Sequence, residues 1–471
     1  MTSIGIIGTG FGGIGTAAEL LTHGYSDVRL WERAETVGGV WRDNTYPGAA
    51  CDVPGPLYSF SFAPNGDWTR RYPAQAEILA YLGRVADQYG VTERTRFGAR
   101  VVSARWDQDA WHVGFDDGTT ESVDVLISAV GQLSEPSAPD VEGWESFAGT
   151  VLHAGSWDDA VDLTGQRVAV VGTGASAVQI VPRLAEVARE LVVLQRSANH
   201  ILPKPDGAYP DWYRDRAQRE RRPIDWVTQQ FSRGLDPDST VATVIERLAS
   251  AHLRLRVRDE ELRRHLTPRH QVGCKRILFS NDYYPTLTRD HVRLVPHALA
   301  EVRPDAIRTA DGPWHEVDAI CFATGFDTQD FLHGIEVTGP GGDLHEAWSG
   351  GARAHLGIHV PGFPNLFLAY GPNTNLGGGS IITMLEAQAR HIRATLDRMD
   401  HHGARRVQAR AEAEQRWDDR VQHDLAHSAW ASCTSWYHHP ETGRITSNWP
   451  GGTHTYEAAV AEVHDEEFLW T

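Results

Sequence analysis

The sequence predicts an α/β fold built around two strand–turn–helix–strand units, on three observations. First, a plan recurs: Ile4-Gly5-Ile6-Ile7 runs into Gly8-Thr9-Gly10-Phe11-Gly12-Gly13, and Val168-Ala169-Val170-Val171 runs into Gly172-Thr173-Gly174-Ala175-Ser176-Ala177. Second, each turn opens a helical stretch (residues 14–21 and 178–188) that is followed by another apolar strand (28–32 and 191–196). Third, two further apolar strands, near 123–130 and 319–323, end in Ala129-Val130-Gly131-Gln132 and Thr324-Gly325-Phe326, and read as crossings between the units.

The turns carry the ligand prediction. In G-x-G-x-x-G the first glycine permits the tight turn, the second lets the backbone approach a pyrophosphate, and the third lets helix pack on strand. The helix N-terminus adds a favourable dipole for phosphate. Gly8, Gly10 and Gly13 fill the three positions in the first unit; Gly172, Gly174 and Ala177 fill them in the second. Each copy follows a strand and opens a helix, the context that a Rossmann-type unit requires.

The end of the second strand separates two ligands. Glu32 stands 24 residues after Gly8, where a carboxylate accepts from a ribose hydroxyl and repels a 2′-phosphate; Arg196 stands 24 residues after Gly172, where a guanidinium suits a 2′-phosphate. The first unit is therefore expected to bind FAD and the second NADPH. The competing reading of Arg196 is a solvated surface arginine. The expected layout is an FAD-binding domain over 1–145, an NADPH-binding domain over 146–330 with a helical insertion at about 205–270, and a return to the FAD domain over 331–471.

Composition narrows the partners. The formal charge of −18 argues against nucleic acid or an anionic membrane surface. No apolar run reaches the ~18 residues of a membrane span, and no signal segment precedes the first strand, so the expectation is a cytoplasmic protein. Cys51, Cys274, Cys321 and Cys433 are far apart. They predict neither a metal site nor a disulfide scaffold, and the lack of a C-x-x-C argues against a dithiol reductase. Of 44 basic residues only Lys204 and Lys275 are lysines, which draws attention to both. The arginine-rich stretch from Arg214 to Arg222 reads as a solvated helix face.

Several gapped motifs then occur in order. Residues 147–158, Phe-Ala-Gly-Thr-Val-Leu-His-Ala-Gly-Ser-Trp-Asp, match FxGxxxHxxxW(P/D). Gly38-Gly39-Val40-Trp41 through Tyr46-Pro47-Gly48 to Cys51-Asp52 matches (A/G)GxWxxxx(F/Y)P(G/M)xxxD. Gly273-Cys274-Lys275-Arg276 precedes Asp282-Tyr283-Tyr284, and Gly371-Pro372-Asn373-Thr374-Asn375 follows the Ala-Thr-Gly-Phe return. Over nearly its whole length the chain resembles the type I Baeyer–Villiger monooxygenases. Heteroatom-oxidising flavin monooxygenases are similar but usually carry Tyr or Phe in place of Trp157.

The resemblance implies that oxygen activated by reduced FAD and held as an anion attacks a ketone carbonyl, giving an ester or lactone. It aligns Arg276 with a catalytic arginine, Asp52 with its partner carboxylate, and Lys275 and Arg196 with positions that hold the 2′-phosphate. It also places Trp41, Gln132, Asp52 and Asn373 among the cofactor-binding residues. The plainer readings are a turn-capping acid for Asp52, a solvated basic pair for Lys275-Arg276, packing for Trp41 and Trp157, and a domain-coupling role for His153. The alternatives in function are nitrogen or sulfur oxidation, or an NADPH oxidase. Arg42 departs from the family, where many relatives have an aromatic residue; it either alters the pocket or points to solvent. The C-terminal segment 432–451 also departs, and is expected to shape the substrate pocket. Substrate, regiochemistry and oligomeric state are not set by these motifs.

Overall fold

Strands that are apolar on both faces need cover on both faces, which parallel sheets flanked by helices provide. Ile4–Ile7, Val125–Ser128, Ala319–Phe322 and Leu366–Leu368 are buried along their whole length. The computed structural model describes residues 2–137, 141–433 and 435–471.

Two parallel sheets of five strands result. In the first the order is Leu366–Leu368, Val125–Ser128, Ile4–Ile7, Val28–Trp31, Thr95–Arg96. In the second it is Val292–Val295, Glu190–Leu194, Arg167–Val171, Ala319–Phe322, Thr150–His153. Strand Leu366–Leu368 joins the first sheet although the whole second sheet lies between it and Val125–Ser128 in sequence. Likewise Glu336–Gly339 pairs with Val101–Asp107 and extends the antiparallel sheet of 101–123. The chain thus leaves the first unit, builds the second, and returns.

Helices Phe11–Thr22 and Ala175–Val187 start earlier than expected, at the turn itself. Gly12, Gly13 and Ser176 are poor helix formers that hide the first turn from sequence, whereas packing against the strands fixes it. Strands Val28–Trp31 and Glu190–Leu194 stop short, leaving Glu32 and Arg196 just beyond their carboxyl ends. Ligands bind at that edge in open α/β sheets.

Four helices, Asp211–Ala217, Arg221–Ser232, Thr240–Arg256 and Glu260–His265, lie between the paired strands Ile201–Leu202 and Leu278–Phe279. Side-chain caps start two of them: Ser239 accepts from Ala242 N–H and Asp259 from Leu262 N–H. One expectation here is corrected. Arg221 is not on a solvated face; its guanidinium donates to the Pro56 and Ser59 carbonyls, at 3.1 and 2.9 Å. Charge patterning along a helix cannot reveal carbonyls supplied by a distant loop.

The core of the first unit holds imidazoles. His391 Nδ1–H donates to the Val460 carbonyl at 2.8 Å, so its Nε2 lone pair accepts from His359 Nε2–H at 3.1 Å. Both rings are buried, and burial holds His391 down to about 4 and His359 well below the ordinary imidazole range. Protonating His391 would set two N–H groups against each other. An unfolded histidine takes up its proton near pH 6.5, so the unfolded chain binds more protons as pH falls towards about 4. Stability is therefore retained above pH ~6.5 and lost on acidification. His391 alone is expected to contribute a loss of ~2 kcal/mol between pH 7 and 5. Urea unfolding at the two pH values, with His391→Leu as comparison, measures it; an equal pH difference in both proteins would refute the assignment.

Candidate active site

The carboxyl edges of the two sheets face one cavity of about 1440 Å³, lined by both glycine-rich turns and by Glu32, Trp41, Asp52, Gln132, Arg196, Lys275 and Arg276. The turns are built alike. Gly8 has φ +99° and a Cβ there would lie 2.7 Å from the Ala129 carbonyl oxygen; Gly172 has φ +113° and its Cβ would lie 2.5 Å from that of Ala323. Each first glycine thus packs on the end of a crossing strand. Gly10 and Gly174 cap the following helices with no side-chain bond, which leaves N–H groups turned towards the cavity. Nothing of the protein lies within 4 Å of a Cβ placed on Gly174, so the space above that backbone is open. Gly13 and Ala177 do not line the cavity. A Cβ on Gly13 would strike the Gly8 carbonyl, and Ala177 is fully buried in the second core; both act in helix-on-strand packing.

Glu32 sits on the cavity wall with its carboxylate already engaged. Oε2 accepts from Thr9 N–H and Oγ1–H at 3.1 and 2.6 Å, and Oε1 from Ala34 N–H at 3.0 Å and Arg42 at 3.0 Å. A ribose hydroxyl reaching this carboxylate shares an oxygen with one of these donors. Arg42 does not point to solvent: only 14% of its side chain is accessible, and it also binds Asp43 and the Thr36 carbonyl. Burial disfavours its charge, but Asp43 and Glu32 outweigh burial and raise its pKa.

At the second unit Lys275 donates to Ser197 Oγ at 2.5 Å, beside Arg196. Burial and then the Arg196 charge lower the Lys275 pKa. Neither cation has a carboxylate partner among the described residues. A pair of cations that pay mutual repulsion at the rim of a cavity is suited to a phosphate dianion.

Asp52 and Arg276 meet between the units. Arg276 Nη2 donates to both carboxylate oxygens at 2.5 and 2.7 Å, and Nε donates at 3.1 Å. The Asp52 charge raises the Arg276 pKa above its usual range, against burial, which lowers it. Although 47% of the Arg276 side chain is accessible, the residue lines the cavity; surrounding protein rather than bulk solvent sets its field. The loop that carries Asp52 is pinned to the second unit. Gln179 accepts from the Tyr46 hydroxyl at 2.9 Å and donates to the Ala50 carbonyl at 2.9 Å. Gly48 is needed there, since a Cβ would lie 2.8 Å from the Gln179 carbonyl oxygen.

Trp41 lines the cavity and donates to the Tyr58 hydroxyl at 3.0 Å. Gln132 is buried and donates to Ser447 Oγ at 2.9 Å. Trp157 packs partly buried on the second core. His153 stays off the cavity wall; Nδ1 accepts from Gly155 N–H at 2.9 Å, Nε2 faces Thr324 Oγ1 at 3.4 Å, and burial lowers its pKa. It thereby ties the fingerprint segment to the return turn.

Two expectations are corrected. Asn373 does not line the cavity; its buried amide donates to the Ile445 and Asn448 carbonyls at 2.9 and 3.0 Å, and its φ of +56° suits asparagine. It straps the C-terminal segment down. The cysteines are not all free either: Cys274 and Cys433 form a disulfide across a sequence separation of 159. Spacing along the chain does not reveal a contact made by the return of the C-terminal part. Cys51 and Cys321 are buried free thiols. Of the predicted segment 432–451, Ser435, Trp436 and Tyr437 line the cavity, while Thr434 lies outside the described residues. Sequence reading missed Tyr370 and Ser197, which carry no motif of their own. Among the described residues no cluster of potential metal ligands is found, and no helix is long and apolar enough to cross a membrane.

Comparison with known proteins agrees with this arrangement. Residues 5–207 match the family model of the pyridine nucleotide-disulphide oxidoreductases. The chain is 39% identical to a Baeyer–Villiger monooxygenase of Streptomyces coelicolor, over 99% of this chain and 92% of the relative. A second such enzyme, from Pseudomonas aeruginosa, is 38% identical over 98% and 89%. Among solved structures, an oxidised steroid monooxygenase bound to NADP superposes with a TM-score of 0.90 at 30% identity, covering 100% of this chain and 99% of that one. A full-length match of this closeness, on top of the ordered motifs and the two facing dinucleotide turns, places the chain in the Baeyer–Villiger monooxygenase family.

Proposed function

We propose that the chain is an FAD- and NADPH-dependent monooxygenase that inserts one oxygen atom from O2 beside a ketone carbonyl, giving an ester or lactone. The observation that carries this reading is the Asp52–Arg276 pair on the wall of a cavity shared by two dinucleotide turns. When bound, FAD takes electrons from NADPH and activates oxygen. The fit of both cofactors rests on the glycine cradles, the uncapped helix starts, Glu32 at one edge and Arg196 with Lys275 at the other.

The residues divide the work by position. Arg276 offers a fixed cation to negative charge that develops in the cavity, where a preorganised charge acts more strongly than in water. Asp52 orients that guanidinium and neutralises it between turnovers. Lys275 and Arg196 hold the 2′-phosphate. Trp41, Tyr58 and Tyr370 wall the space with aromatic surface and exclude water. Heteroatom oxidation needs no such cation, and no feature of the site favours it.

The test uses purified FAD-loaded protein with NADPH, heavy-isotope oxygen gas, and a panel of linear, cyclic and aryl ketones plus one thioether, read by mass spectrometry. An ester or lactone carrying one heavy oxygen is expected. A labelled sulfoxide without ester would move the assignment to heteroatom oxidation, and hydrogen peroxide alone to an oxidase.

The first turn gives a separate prediction. Gly8→Ala is expected to purify without flavin, because the Ala129 carbonyl and the positive φ both oppose the methyl group. Gly24→Ala has a similar φ of +95° but nothing within 4 Å, and is expected to keep full flavin absorbance. Equal flavin content in the two variants would refute the cradle.

A further inference from the structure

Lys275 and Arg276 lie on irregular backbone, after the turn at Gly273 and before strand Leu278–Phe279. No helix or sheet ladder fixes either residue. A long arginine side chain is useful as a fixed charge only if its root is held as firmly as its tip. Asp52 holds the tip. We propose that the C-terminal residues 433 and 435–437 hold the root, with the Cys274–Cys433 disulfide as a covalent clasp; this rests on the role given to Arg276 above.

Three links support the assignment. Cys274 directly precedes Lys275 and Arg276, is fully buried, and is bonded to Cys433. Just past that bond, Ser435, Trp436 and Tyr437 line the same cavity as Arg276. Burial pushes the Tyr437 phenol up to about 12, and the Arg276 charge facing the same cavity partly offsets that rise. The segment is itself anchored. The Trp436 carbonyl accepts from Thr328 Oγ1–H at 3.1 Å and Gln329 Nε2–H at 2.8 Å, and the Tyr437 carbonyl from Thr446 N–H at 3.1 Å.

The clasp therefore joins the loop bearing both the 2′-phosphate lysine and the fixed cation to the returning part of the first unit. Cys274 and Cys433 are positioning residues: neither lines the cavity. Without the clasp, Lys275 and Arg276 remain present but less well placed. NADP+ then binds more weakly, and less ester forms per NADPH consumed, while the flavin turn is untouched.

The experiment starts with peptide mapping of protein handled without reductant, where a peptide pair joining Cys274 to Cys433 is expected. The double variant C274S/C433S, loaded with FAD, is then compared with wild type. Hydrogen exchange is expected to quicken in 273–277 and 435–437 and to stay unchanged in 4–31. NADP+ affinity is expected to fall about fivefold with NAD+ affinity unchanged, the size of one weakened charged hydrogen bond. If the double variant misfolds, wild type treated with a dithiol reductant gives the same exchange readout. Absence of the linked peptide, unaltered exchange at 273–277, or equal weakening of NADP+ and NAD+ would each overturn the proposal. These readouts need no ketone, so a wild type that makes no ester removes the monooxygenase reading while the clasp is still decided by exchange and NADP+ binding.

Discussion

Arg276→Ala is expected to lower ester formation by ~10³-fold while NADPH still reduces the flavin, because removal of a preorganised charge donor costs rate where charge develops. The argument rests on what the alanine removes and what it leaves. It removes a guanidinium held to Asp52 by three hydrogen bonds. It leaves both glycine turns, Arg196 and the Lys275 ammonium, so binding of NADPH and delivery of its electrons have all their contacts. Arg276→Lys keeps the charge but not the forked geometry towards Asp52, and is expected to fall between alanine and wild type. Asp52→Asn tests the other side of the pair: the cation stays but loses its neutralising partner, so ester formation drops less than in Arg276→Ala. Stopped-flow reduction and product analysis on the same preparation separate the two steps. Ester formation at the wild-type rate in Arg276→Ala would sink the assigned role, and loss of flavin reduction would show that the residue serves cofactor binding instead.

How much of this was legible in the sequence depends on range. Gly8, Gly10, Gly172 and Gly174 were readable because a turn between strand and helix makes local demands on backbone shape. Glu32 and Arg196 were readable because a strand–turn–helix–strand unit fixes the offset to the next strand end, and the structure places both at the carboxyl edges. The pairing of Asp52 with Arg276, across 224 residues, came only through family resemblance; nothing in composition or periodicity brings those side chains together.

Where partners come from distant segments, sequence failed. Asn373 stands in a motif near the cofactor region, yet its amide is spent on Ile445 and Asn448. Arg42 had no visible partner because Glu32 reaches it through the fold. The Cys274–Cys433 bond and the His359–His391 pair are likewise products of the return of the chain after the second unit. The general reason is that short-range backbone geometry is written locally, whereas side-chain partners depend on which loops the sheet order brings to one edge.

Arg196 and Lys275 give the second large expected effect, a change of coenzyme preference. Both line the cavity beyond the second turn, and neither has a carboxylate to neutralise it among the described residues. NADPH differs from NADH only by the 2′-phosphate, so an interaction with that group alters one coenzyme and not the other. A lost charge-assisted contact is worth about 1.5–3 kcal/mol, and the exposed position of Arg196 puts its share at the low end. Arg196→Ala is therefore expected to raise the KM for NADPH about tenfold with NADH unchanged. Lys275→Met removes the more buried cation and is expected to act in the same direction and at least as strongly. Arg196→Glu goes further, since a carboxylate repels the phosphate and accepts from a free ribose hydroxyl, as Glu32 is placed to do in the first unit; it is expected to reverse the preference towards NADH. Steady-state kinetics with both coenzymes, with flavin content checked in each variant, decide the matter. A parallel loss with NADPH and NADH would mean that the two cations support the fold of the loop rather than read the phosphate.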